Sequence, residues 1–201
     1  MNEVTRAIWE GLAGASLLDR VNLVLGIAGV VLMVRRSLWA FPVGLVAVTV
    51  QGILFSGAKF YADAALQVFF FGALAWGWWN WRRAAAAGPE LPVTRLTKRG
   101  LALTLAAAAG ATVVWALALQ RWTDAAMPWR DAGIAAFSVA AQVLQARKNL
   151  ENWPFWIGVN AVAVASYWTA ALAFTALLYA VYLGLAVAGW RAWRRAARAT
   201  P

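Results

Sequence analysis

Seven apolar runs, separated by short segments in which the charged residues gather, commit this chain to crossing a lipid bilayer repeatedly. The runs fall near residues 21–34, 38–56, 61–81, 100–119, 131–146, 153–170 and 173–193. A span needs about 20 apolar residues, so the first and fifth runs must recruit their flanks to reach across. Of 201 residues, 63% are hydrophobic and 13% charged, whereas a soluble domain carries roughly 45–50% and 25%. The 14 Trp suit a chain with two water–lipid interfaces. Residues 1–20 read as a mixed polar segment, and no small-residue cleavage site follows the first apolar run.

The charges test the count. With seven spans, 13 Lys and Arg fall on one side and 5 on the other. That bias expects an outside N-terminus and a cytoplasmic C-terminus in a multi-pass protein of the inner, cytoplasmic membrane. The net charge of +10 sits in clusters between apolar runs, which argues against a nucleic-acid partner and for contact with membrane lipid. With no Cys and no His, thiolate and imidazole metal sites are excluded, and no cofactor is expected.

An internal repeat organises the rest. Residues 70–83 match 182–195 at an offset of 112, with glycines, tryptophans and the basic stop in register. The preceding helices are aligned at 114, pairing Trp39 with Trp153 and Gly44 with Gly158. The expected fold is therefore all-α and integral to the membrane, with seven transmembrane helices in a 3+1+3 parallel repeat, a plan shared with SWEET-type sugar facilitators. It divides into an N-terminal segment 1–20, a first three-helix repeat 21–83, a linker 84–99, a linker helix 100–120, a second repeat 131–195 and a tail 196–201.

Candidate site residues follow from aromatic and amide side chains placed inside spans. Trp153, Trp156, Asn160 and Tyr167 share one helical face. An amide in mid-membrane needs a partner, either a neighbouring helix or a solute, and its aromatic company favours a solute. The last helix offers Tyr179 and Tyr182, and its repeat mate offers Gln67 and Phe70. Gln51 reads as an interhelical bond. Lys59 and Asp63, spaced i, i+4, read equally as a surface ion pair or as a mouth that draws in cations. Glu151 and Asn152 read as helix caps before Pro154. The tryptophans of the repeat ends (Trp76, Trp78, Trp79, Trp81, Trp190 and Trp193) read as interfacial anchors. No ionisable group lies deep in a span, and no nucleotide, metalloprotease or serine-hydrolase motif occurs, so neither an enzyme nor a pumped or ion-coupled carrier is expected.

Two stretches, 147–160 and 59–70, together with the Gly77-Trp78 and Trp190/Trp193 ends, resemble the PnuC-type vitamin transporters over nearly the whole chain. The resemblance implies a homotrimeric facilitator of nicotinamide riboside uptake, with the substrate trapped by a cytoplasmic vitamin kinase. Relatives of that fold carry thiamine or a flavin, and these remain alternatives. A non-transporting membrane assembly protein is the alternative of another class.

Overall fold

Within a bilayer only a helix hides every backbone polar group inside one segment, and each apolar run takes that form. The structure is a computed structural model and describes residues 3–88 and 91–199. Its helices are α1 (Glu3–Gly14), α2 (Leu17–Val34), α3 (Ala40–Gly57), α4 (Tyr61–Ala87), α5 (Lys98–Trp122), α6 (Pro128–Ala146), α7 (Asn152–Thr169) and α8 (Ala173–Ala199). Four stretches, Leu17–Val34, Ala40–Gly57, Lys98–Trp122 and Ala173–Arg198, are long and apolar enough to cross a membrane.

Eight helices are thus present among the described residues, where seven were expected. The addition, α1, lies within the segment read as polar. It has 12 residues, about 18 Å of helix, too short to span. Its Gly11 lies against Phe174 of α8. Its mixed polarity reflects burial on one side only, not a lack of structure. Local chemistry sets the other helix starts. Ser16 and Asp19 form a reciprocal capping box that starts α2 before residue 21. Thr97 accepts from the Gly100 N–H at 3.0 Å, and Pro128 opens α6.

Helices α2, α3 and α4 pack in sequence, as do α6, α7 and α8. The two groups meet where α4 packs on α6 and α2 packs on α8, while α5 covers α6. The corner after α2 is closed by Arg35 N–H to Val31 O, Arg36 N–H to Met33 O and Ser37 N–H to Leu32 O. The corner after α6 has the same bonds 112 residues later, from Arg147, Lys148 and Asn149 to Val143, Gln145 and Leu144. Arg36 and Lys148 both take left-handed φ values, 57° and 61°. Helices α3 and α7 follow the same spacing, with Pro42 and Pro154 each third in its helix. The pairing at 114 is therefore corrected: Phe41, not Trp39, stands where Trp153 does.

At the end carrying Arg35, Arg36, Arg147 and Lys148, called here the basic end, four aromatic rings form the core. Phe41 meets Trp81 edge-on at 5.0 Å, and Trp153 meets Trp193 edge-on at 5.4 Å. Trp81 and Trp193 then touch at 5.8 Å. Both indole N–H groups are satisfied across the two groups of helices, Trp81 by Ala146 O and Trp193 by Met33 O, each at 3.1 Å. Trp81 and Trp193 are buried and are core pins, not interfacial anchors. Trp76 and Trp79 are exposed, and Arg147 and Arg83 lie over their rings.

Candidate substrate cavity

At the end opposite the basic one, a cavity of about 590 Å³ opens between α2, α3 and α8. That is within the usual range of about 300–1,000 Å³ for small-molecule sites. Tyr179 and Tyr182 line it, one turn apart on α8, beside Asn22 and Gln51. Tyr167 of α7 stacks on Tyr179 with centroids 5.2 Å apart and planes at 26°, and Tyr182 meets Tyr179 edge-on at 6.2 Å. Gly26 makes room for Tyr182, since a Cβ at Gly26 would meet its hydroxyl. Asn22 donates to Gln51 Oε1 across α2 and α3. That interhelical bond agrees with the reading of Gln51.

Below the tyrosines, α7 presents Trp156, Asn160, Ala163 and Tyr167 on one face. Asn160 is buried, and its Nδ2 donates to Trp156 O at 2.8 Å, a bond within its own helix. Trp156 Nε1 donates to Gln145 Oε1 of α6 at 3.0 Å. Gln142, one turn before Gln145, is buried, and its Nε2 has no partner. A buried unpaired amide is uncommon and needs an explanation; a solute oxygen would satisfy it. Asn22, Gln142 and Gln145 were missed from sequence. The signal was the one that picked out Asn160, an amide inside an apolar run.

The other candidates lie apart from this face. Trp153 is 1% exposed in the basic-end core, packed on Gly189 and Trp193, away from the cavity. Gln67 sits against Gly52 of α3, and Phe70 pairs with Phe69. Asp63 is exposed at the start of α4, within electrostatic reach of Asp131 and Tyr179. Lys59 occupies the corner after α3 with φ of 63° and forms no ion pair with Asp63 among the described residues. Glu151 makes no cap with its side chain; its carboxylate accepts from the Leu96 N–H of the linker at 3.0 Å. Asn152 instead donates to Asn149 O at 2.7 Å. No cluster of three metal-ligating side chains occurs among the described residues.

A bundle of apolar helices holding an aromatic, amide-lined cavity defines a membrane transporter of small organic solutes. The comparisons give its family. Residues 16–195 match the nicotinamide mononucleotide transporter family, and the chain belongs to it. The riboflavin/roseoflavin transporter RibM of Streptomyces davaonensis is 32% identical over 182 residues, 87% of this chain and 83% of the relative. The nicotinamide riboside transporter PnuC of Escherichia coli K12 is 26% identical over 208 residues, 91% and 87% of the two chains. The crystal structure of the vitamin B3 transporter PnuC superposes with a TM-score of 0.76 at 25% identity, covering 96% of this chain and 87% of that one. This chain is a vitamin transporter of the PnuC family, not an enzyme.

Proposed function

We propose that the protein moves nicotinamide riboside into the cell by facilitated diffusion, and that phosphorylation by a cytoplasmic kinase traps it. The observation carrying this reading is the stack of Tyr167 on Tyr179, with Tyr182 beside it and Asp63 within electrostatic reach. A flat pyridinium cation gains about 0.5–2 kcal/mol from each aromatic face, and a nearby carboxylate adds to that attraction. The amides of Gln142, Gln145 and Asn160 suit a ribose and a carboxamide, because each both donates and accepts. Among the described residues, no buried carboxylate is available to carry a coupling ion, which supports passive movement.

The repeat belongs to the same proposal. Corner bonds that recur at 112 residues, and the exchanged contacts of α2 with α8 and α6 with α4, support two three-helix units around an axis along the membrane normal. Rocking of these units, joined by α5, would alternate access to the cavity. The seven helices α2–α8 would then span an inner membrane, with the basic end cytoplasmic and the protein a homotrimer. A flavin substrate is the second reading, favoured by the 32% identity to RibM. A neutral isoalloxazine would use the tyrosine stack without needing Asp63.

Calorimetric titration of purified variants tests the site. Trp156→Ala, Asn160→Ala and Tyr179→Ala are each expected to weaken nicotinamide riboside binding by tenfold or more, about 1.4 kcal/mol. Binding left unchanged by all three would refute the site.

A further inference from the structure

The two corners at the basic end share a backbone path but not a chemistry. In the α6–α7 corner the linker lies across the turn: Thr94 bridges Asn149, Leu150 N–H donates to Thr94 O at 2.8 Å, and Asn149 Nδ2 donates to Thr94 Oγ1 at 2.9 Å. Glu151 supplies that corner with a carboxylate of its own, which also meets Arg95 at 3.9 Å. In the α2–α3 corner, 112 residues earlier, Trp39 stands in place of Glu151 and is 71% exposed. Here the linker only borders the corner through Leu91, and a cavity of about 400 Å³ remains. Arg35, Arg36 and Lys148 line it beside Trp39 and Trp81. Lys148 is 1% exposed, with Nζ 4.3 Å from the centre of the Trp81 ring. No carboxylate lines the cavity among the described residues.

Three cations around one concavity repel each other, and an entering anion lowers that energy. Two guanidinium forks and an ammonium call for an acceptor with several oxygens, which phosphate provides. Leu38 and exposed Trp39 give the cavity an apolar rim at the level where helix ends meet lipid headgroups. We propose that this cavity binds a phosphate group, the external counterpart of the acid that Glu151 supplies to the other corner. The group is borne either by an anionic phospholipid or by a soluble phosphate ester, and both are recognised through the same three cations.

Native mass spectrometry of the full chain in detergent, with phosphatidylglycerol or phosphatidylcholine added, tests the lipid arm. Thermal unfolding with adenosine monophosphate tests the soluble arm. Arg35→Gln/Arg36→Gln is expected to weaken the responsive ligand by about tenfold or more, while Arg194→Gln/Arg195→Gln, at the same end but outside the cavity, stays within about twofold. Trp39→Glu, which copies the other corner at an exposed position, is expected to give the same loss and decides the matter if the double variant does not fold. Phosphatidylglycerol retention lost in the cavity variants assigns a headgroup, and adenosine monophosphate protection lost in them assigns a soluble ester. Equal behaviour of cavity and control variants, or no response to either ligand, overturns the proposal.

Discussion

A Cβ at Gly189 would lie 2.5 Å from the Trp153 ring, and one at Gly77 would lie 2.8 Å from Phe41. These two hydrogens let α8 and α4 approach α7 and α3 closely enough to bury the aromatic core. Gly189→Ala is therefore expected to lower stability by about 1–3 kcal/mol through overpacking. Gly158→Ala meets nothing within 4 Å and is expected to cost nothing. Thermal unfolding in detergent compares the two. At this scale the sequence was partly legible. Glycines and tryptophans in register marked the close approach, but which indoles turn inward was not readable. Interfacial and core tryptophans share the same helix ends and the same neighbouring arginines. What separates Trp81 from Trp79 is a carbonyl acceptor 65 residues away, at Ala146. For the same reason Trp153, singled out with Trp156, belongs to the core although its neighbour one turn on faces the amides.

Helix positions were largely readable from apolar runs, because a bilayer leaves the backbone few alternatives. Helix α1 escaped because it buries one face against α8 and exposes the other, so it carries no continuous apolar run. Glu151 illustrates the other failure. Its place before Pro154 suggested a cap, yet its partner is the linker N–H of Leu96, 55 residues earlier. Local pattern does not report such a contact. Glu151→Gln keeps the shape and removes the charge, so the linker should loosen. The expected loss is about 1–2 kcal/mol from the weakened hydrogen bond. The Arg95 pair adds little, since that side chain is 70% exposed. Limited proteolysis reads the outcome: faster cleavage between α4 and α5 is expected, and an unchanged rate would mean that packing, not Glu151, holds the linker down.

Across the whole molecule, one backbone plan appears twice and two chemistries are laid on it. The basic ends of both units are pinned by buried indoles, while the opposite end opens into the tyrosine cavity on one side. A transporter stiff at one end and open at the other needs no ion to drive it. In proteoliposomes, uptake of nicotinamide riboside is expected to stop at equal concentrations inside and out, whatever sodium or proton gradient is imposed. Accumulation above the external level under a gradient would contradict passive transport. The repeat, the charge bias and the absence of coupling groups were legible because each is a count along the chain. The identity of the solute was not, since tyrosine faces accept a pyridinium or a flavin alike. Titration calorimetry of the purified protein against nicotinamide riboside, riboflavin and thiamine addresses that directly. A saturable heat for nicotinamide riboside, with weaker or no heat for the others, is the expected result. Binding of riboflavin alone would transfer the account to the flavin reading, and no heat from any of the three would contradict it.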